Sequence, residues 1–485
     1  MNGTTTTTDL RPSATESAGG VCEAPRPRTT NPLRRLARDL AAERRRSGGA
    51  PGELGFDLRR SMRLARDPLS VLMPLYERFG PIFSIRALHV VETFMVGPEA
   101  NRLITVTDRG NFGWRDGEMG ELIPLLGDGL LTTDGAYHDR AREILMPAFG
   151  AERIAAAVES IENETRRSIS GWRQGGLVDI NRWSRTTALR IAMRALLGLD
   201  PDDQGAGATA TRHFERALRY YGSDFHVRLL RGPGTPWSRT LSSKRALDRI
   251  VYREIAARRS QPPDDPSDVL AILTAAESPT GGRLSDLEIR DHLVTLLFAG
   301  HDTMTSTLSL LLYELARHPA ERDRVIDEVA DAGSIPAAAL EGRLPALLRC
   351  LEETLRLYPP GWVGPRRNLR EFEFEGVRVA AGSAVNYSSL MTHRLPELFP
   401  EPGRFLPERF LPSARAKLPP GAYIPFGAGP RICIGKRFAL IEAQVVAATV
   451  LRRFRPEALD SRPPQLRPMP TLGPREGLRL RLTRS

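Results

Sequence analysis

The sequence predicts a mainly α chain with small β-sheets. Three observations carry this reading. Apolar residues recur at helical spacing through eight segments between 136 and 357. Strand-like patterning is confined to two short regions, 81–97 and 372–387. No strand–helix–strand alternation runs along the chain, which argues against a doubly wound α/β architecture.

The elements follow in chain order. Residues 1–31 hold a Thr run, Gly-Gly and Pro-Arg-Pro-Arg, and 1–50 is expected to be a disordered basic tail. Within it, Leu33, Leu36 and Leu40 share a face of a short basic helix over 32–46, expected to be a solvated appendage. Gly-Gly-Ala-Pro-Gly at 48–52 is expected to link it to a single domain, 51–485. Phe83, Ile85, Val91 and Phe94 mark a hairpin over 81–97. Helices are predicted at 136–148, 151–173, 184–198, 211–221, 240–259, 285–317, 320–331 and 343–357. The middle of 285–317 is apolar on nearly all sides, so that helix is buried. Gly376 and Gly382 punctuate the second β region. After residue 426 a glycine-rich loop runs into a further helix.

Composition narrows the function. Of 485 residues 41% are apolar and 26% charged, which excludes collagen, a coiled-coil rod and full disorder. The net charge is +11, and 66 of the 69 basic residues are arginine. Such a balance suggests nucleic acid, an anionic membrane, an acidic partner or simply a biased genome. Aromatics are sparse at 6% and no nucleic-acid motif occurs, which argues against nucleic acid. Cys22, Cys350 and Cys433 form no C-x-x-C pair, which fits a reducing cytoplasm and no cysteine-built zinc site. No signal peptide or apolar run of membrane-spanning length is present; the absence of an anchor leaves peripheral membrane contact open.

The most informative segment is Phe426-Gly-Ala-Gly-Pro-Arg-Ile-Cys433-Ile-Gly435. Glycines let backbone approach a flat ligand. A cysteine before a helix N-terminus gains thiolate character from the dipole and free N–H groups, and a thiolate is a soft metal ligand. A lone cysteine is more often a small buried apolar residue. Here the segment matches F-x-x-G-x-R-x-C-x-G, the haem-binding signature of the cytochrome P450 family, which the chain strongly resembles. Two further motifs follow the family's order. Glu353-Thr-Leu-Arg356 matches E-x-x-R, with Arg409 of Pro407-Glu-Arg-Phe410 as third partner. Ala299-Gly-His-Asp302-Thr303 matches A-G-x-[D/E]-T in the middle of the buried helix.

The resemblance covers about 55–480 and implies a cytochrome P450 fold. It implies haem b, with Cys433 as axial iron ligand, Phe426 against the cysteine, and Gly435 and Ala299 bordering the macrocycle. It implies propionate contacts from Arg431, His138, Arg142 and Arg366, with Arg367 as the near alternative. Gly300 permits a local helix opening, Thr303 hydrogen-bonds the oxygen being activated, and Asp302 relays protons. The reaction implied is insertion of one atom of O2 into a lipophilic small molecule, such as a fatty acid, terpenoid or other product of secondary metabolism. The alternatives are a peroxide-driven peroxygenase, whose members lack the acid–threonine pair, and a non-enzymatic haem carrier or basic nucleic-acid binder. The pocket is expected from 112–131, 213–240, Val294–Ala299, Trp362–Gly364 and Pro468–Leu472. Near the lid, Arg212, His213, Arg216 and Arg219 are expected to be surface groups. Arg431 stands where many soluble bacterial relatives carry His, and many relatives carry Trp where this chain has His138. The chain ends about fifty residues after Cys433, which implies a separate electron donor. Lys436, Arg437 and Arg140 are expected on the face that docks it, an acidic ferredoxin or a flavodoxin-type reductase.

Overall fold

The computed structural model describes residues 49–484 apart from 116, 224–226, 228–229, 265–266, 278–281, 461 and 476, together with Ala37, Leu40 and Ala41. The expected tail and the helix over 32–46 otherwise lie outside the described residues. The linker at 48–52 is corrected. Ala50 is buried, and Gly52–Glu53 forms strand β1, parallel to Ser84 and Ile85. Ordered backbone pairing therefore begins inside the stretch expected to be a connector.

β1 edges a six-stranded sheet that also contains β2 (Ile82–Ala87), β3 (Val90–Met95), β4 (Phe112–Gly113), β5 (Gly364–Asn368) and β6 (Ala384–Tyr387). The strand order is β1-β2-β3-β6-β5-β4. β2 and β3 are the expected hairpin. Gly364 pairs with Tyr387, and a Cβ there would stand 2.1 Å from the Tyr387 ring. Only glycine lets that ring lie across β5, beside Arg366.

Six helices carry the site: α1 (Gly135–Leu145), α2 (Ile180–Leu197), α3 (Ala206–Tyr221), α4 (Asp286–Arg317), α5 (Pro345–Leu357) and α6 (Lys436–Leu451). α4 has 32 residues, about 48 Å at 1.5 Å per residue. Its first turn is fixed by a capping box. Ser285 N–H donates to Glu288 Oε2 at 2.8 Å, and Glu288 N–H donates to Ser285 Oγ at 3.3 Å. From Ile289 to Ala316 nearly every residue of α4 is buried. It packs on α2, α5 and α6, so the molecule is built around it. α2 begins four residues before the predicted start because the Asp179 side chain accepts the Arg182 N–H at 3.0 Å.

Glu353 and Arg356 on α5 are both fully buried. Arg356 donates to both Glu353 oxygens, at 2.7 and 2.8 Å, and to the carbonyls of His393, Pro402 and Arg404. Leu406 N–H also donates to Glu353, at 2.8 Å. Arg409 completes the expected trio as an ion pair at 3.4 Å from Glu353, too oblique for a hydrogen bond. His393, absent from the sequence reading, extends the network. Its Nε2 accepts the Ile424 N–H at 3.0 Å, two residues before Phe426. Burial pushes its pKa down to about 3, which keeps that nitrogen free to accept.

Candidate functional site

A cavity of about 990 Å³ occupies the interior between α4, the loop before α6, α1 and the six-stranded sheet. Pockets for cofactors and drug-sized ligands run about 300–1,000 Å³, so this one is at the top of that range. Cys433, Phe426, Gly435, Ala299, Gly300, Thr303, His138, Arg142, Arg366 and Arg431 all border it. The structure thus brings together every predicted site residue except Asp302, which stands one layer back.

The cysteine loop is shaped by its own backbone. Gly429 has φ of +67°, and a Cβ on it would lie 2.1 Å from the Thr105 carbonyl, so the loop can press against 103–107 only with glycine there. Cys433 N–H donates to the Phe426 carbonyl at 2.9 Å, closing the loop across Phe426. Cys433 lies deep in the molecule, yet its side chain has open surface because it faces the cavity. Burial pushes its thiol up; the Gly435 N–H and the charges of Arg142 and Lys436 pull it down. Burial outweighs the helix-terminus effect expected from sequence.

The cations gather at one edge. Arg366 is buried with its guanidinium 3.6 Å from the centre of the Trp114 ring. It donates to the Pro365 carbonyl at 2.9 Å and also hydrogen-bonds Tyr387. Arg431 lies 5.2 Å from the same ring, 3.3 Å from Asp134, and bonds the Thr133 carbonyl. Asp134 is shared, because it also accepts the Trp114 and Arg115 N–H groups. Burial lowers the pKa of Arg366, and that of Arg431 to about 10. Burial, then Arg431, pushes His138 down to about 4 despite Asp139 at 2.9 Å. Trp114 Nε1 is buried without an acceptor. Arg367, the near alternative, turns away and donates to the Gly382 carbonyl at 2.5 Å.

Buried cations short of carboxylates destabilise a fold unless an anion joins them. A flat dianionic group carrying a metal suits this edge. Among the described residues no cluster of His, Cys, Asp and Glu would hold a metal ion, so a single thiolate with a macrocycle fits better than a protein-built centre. Haem fits these donors: a thiol for iron, and buried cations with an indole N–H for propionates.

On α4 the helix runs unbroken through Gly300, and a Cβ there would meet nothing within 4 Å. Thr303 Oγ1 donates to the Ala299 carbonyl at 2.6 Å. Asp302 is buried and accepts from Arg185 at 2.7 Å, Arg467 at 3.3 Å and Thr471 at 2.5 Å. Burial pushes its carboxyl up, but Arg467 and Arg185 outweigh burial and hold it below the usual range. His393, Arg185 and Arg467 were not visible in the sequence; Trp114 and Thr471 fall within the expected pocket segments 112–131 and Pro468–Leu472, but without these roles.

The family model for cytochrome P450 matches residues 58–479. The chain belongs to the cytochrome P450 family. This cytochrome P450 is 33% identical over 434 residues to cyclooctat-9-en-7-ol 5-monooxygenase of Streptomyces melanosporofaciens, covering 84% of this chain and 89% of that one. It is 32% identical over 359 residues to cyclooctatin synthase of the same organism, covering 72% and 77%. Among solved structures it resembles retinoic acid-bound cyanobacterial CYP120A1, with a TM-score of 0.80, 28% identity and coverage of 90% and 100%. The protein is a cytochrome P450 monooxygenase, and a haem-iron cofactor goes with the family. No helix among the described residues is long and apolar enough to cross a membrane.

The expected pocket segments line the cavity of this P450 through Phe112, Leu130, Tyr220, Phe298, Trp362 and Met469, while Leu472 is packed in the core beside it. The β2–β3 turn, with Leu88 and His89, is an unforeseen part of the wall. Arg140 is corrected: it pairs with Glu288 at 3.0 Å and is not a free docking cation. That pair ties α1 to the start of α4, and the cost of leaving Glu288 alone favours keeping it.

Glu442 on α6 also borders the cavity and is buried, with no cation acting on it among the described residues. Burial alone pushes its carboxyl up to about 8. The unfolded chain loses this proton near pH 4.3, so between there and pH 8 it binds fewer protons than the folded protein. Stability from this group therefore falls as pH rises through that window. Glu442→Gln should be more stable than wild type by on the order of 5 kcal/mol at pH 9 and nearly equal at pH 4. Urea unfolding at several pH values tests this; parallel stability curves would refute it.

Proposed function

We propose that this P450 inserts one oxygen atom from O2 into a lipophilic natural product, with terpenoids the first class to try, using electrons from a separate donor. The observation that carries the reading is the cavity, which places a single thiol, a cation-rich edge and the Gly300–Thr303 face of α4 on one wall system of mostly apolar side chains. Support for the substrate class comes from the cyclooctat-9-en-7-ol in one relative's name and the retinoic acid bound to the structural neighbour, both lipophilic.

In this reading the group is haem b. Cys433 holds the iron, Arg431, Arg366, His138 and Arg142 hold the propionates, and Phe426, Gly435 and Ala299 border the ring. Bound there, haem supplies oxygen activation, and the protein supplies orientation, protons and exclusion of water. Gly300 leaves room beside α4. Thr303 keeps a hydroxyl at the cavity wall, and Asp302 stays ionised behind it as a proton carrier. This acid–threonine pair also favours O2-driven over peroxide-driven turnover. We place the enzyme in the cytoplasm, with residues 51–485 as its catalytic domain.

The test is incubation under ¹⁸O2 with a panel of terpenoids and fatty acids, electrons coming from a surrogate ferredoxin and its reductase. One labelled oxygen per product is expected. Turnover with peroxide that exceeds the O2-driven rate would overturn the reading.

Electron delivery rests on Lys436, whose Nζ stands 5.9 Å from the Phe426 ring, and on exposed Arg437. Lys436→Glu should slow reduction by an acidic ferredoxin about three- to tenfold at low salt, the difference fading at high salt. Stopped-flow reduction under CO reads this directly, and an unchanged rate would remove Lys436 from the docking face.

A further inference from the structure

Asp302 is cut off from the cavity it is expected to serve. Gly300 and Thr303 face the cavity, whereas Asp302, about 100° around the helix from Thr303, is turned into the contact between α4, α2 and 466–474. Thr303 does not bridge them, because its hydroxyl is bonded to the Ala299 carbonyl. The two Asp302 oxygens have different partners. Oδ1 accepts from Arg185 and Arg467, whose side chains are 30% and 28% exposed. Oδ2 accepts from Thr471 Oγ1 at 2.5 Å, and Thr471 borders the cavity.

A guanidinium donates hydrogen bonds but does not give up a proton at physiological pH, so neither arginine can pass one on. A hydroxyl donates one hydrogen bond and accepts others. Among the hydrogen-bond partners of Asp302 in the described residues, Thr471 is the one able to do both. We propose that Thr471 carries the proton from Asp302 into the cavity. Asp302 rests as a carboxylate and takes a proton on Oδ2 from hydronium in solvent at the partly exposed edge beside Arg185 and Arg467. That proton moves to Thr471 Oγ as the Thr471 hydroxyl proton moves to a water or oxyanion in the cavity, so Thr471 ends neutral and Asp302 returns to carboxylate. This deepens the monooxygenase reading and rests on it.

Thr471→Val keeps the side-chain shape and removes the relay; Thr471→Ser keeps the hydroxyl. In the holoenzyme, with surrogate ferredoxin and reductase supplying electrons, O2 uptake should fall about tenfold or more in Thr471→Val, with a larger solvent isotope effect. Thr471→Ser should stay within about threefold of wild type. Asp302→Asn/Thr471→Val should be no slower than Asp302→Asn alone, because both lie on one path. In the resting protein the carboxylate infrared band lost in Asp302→Asn should shift in Thr471→Val and not in Thr471→Ser. Additive losses in the double variant, or wild-type uptake and isotope effect in Thr471→Val, would overturn the proposal. The reduced-CO spectrum separates the two levels: if it is of thiolate type in every variant, a failed relay leaves the monooxygenase reading standing.

Discussion

Cys433→Ser should lose the red-shifted Soret band of the reduced CO form, and oxygen insertion should fall by at least about a thousandfold, about 4 kcal/mol of barrier. The expectation follows from the wall of the cavity. Cys433 faces it with the Gly435 N–H aimed at the sulfur, and the Phe426–Cys433 backbone bond holds the loop in place. Serine preserves that backbone bond and nearly the same volume, so the loop should survive. What changes is the donor atom: an alcohol does not ionise at neutral pH and is a poor push ligand compared with a thiolate. The cation edge is untouched, so the variant should still take up haem, in reduced amount. Haem content and the CO difference spectrum therefore separate two outcomes. Haem present with no thiolate band supports Cys433 as ligand; a thiolate band surviving in the serine variant would exclude it. Cys350 does not compete for the role, because it is buried in the core on α5 with its thiol pushed up by burial.

Much of this site was legible before the fold was known, and the reason is local. The loop at 426–435, the Glu353–Arg356 spacing and 299–303 are runs of fewer than twelve residues that match the family's motifs in order, although a pair such as Glu353 and Arg356 alone is one any helix offers. The long helices were legible through period as well, α4 above all. Two kinds of feature were not. Strands of two or three residues, such as β1 and β4, are shorter than any pattern window, and β1 lay hidden in a stretch of glycines that resembled a linker. Partners from distant segments carry no local period either. Trp114 stands under Arg366, His393 receives the Ile424 N–H, and Thr471 meets Asp302, each across dozens to hundreds of residues. Arg140 failed for the same reason: its surface look in sequence concealed Glu288, 148 positions away. The excess of arginine resolves in part through these contacts. Arg290, Arg356 and Arg366 are buried, and their charge is answered inside the molecule by Asp248 and Asp291, by Glu353, and by aromatic rings at the cavity.

Glu353→Ala should prevent accumulation of folded, haem-loaded protein, whereas kinetics of any surviving fraction should be nearly normal. Glu353 touches neither the cavity nor Cys433. It neutralises Arg356, which is fully buried, and it accepts the Leu406 N–H. Removing the carboxylate leaves a buried guanidinium whose remaining acceptors are three backbone carbonyls. Breaking a buried pair from one side costs about 3–5 kcal/mol. That is a large share of the 5–15 kcal/mol by which domains are stable. The damage then travels along the chain. Arg356 holds the His393, Pro402 and Arg404 carbonyls, and His393 holds Ile424, which leads into the cysteine loop. A slack meander would keep molecules from loading haem even where α5 survives, so only those that retain it turn over. Glu353→Gln keeps the shape and an acceptor but loses the charge, so it should fall between wild type and alanine. Glu353→Ala/Arg356→Met removes both fully buried charges and should recover part of the loss, because only the half-buried Arg409 is left without its carboxylate. Soluble yield, haem per chain and the urea midpoint measure this order; an alanine variant with wild-type midpoint and haem content would show that the pair is dispensable.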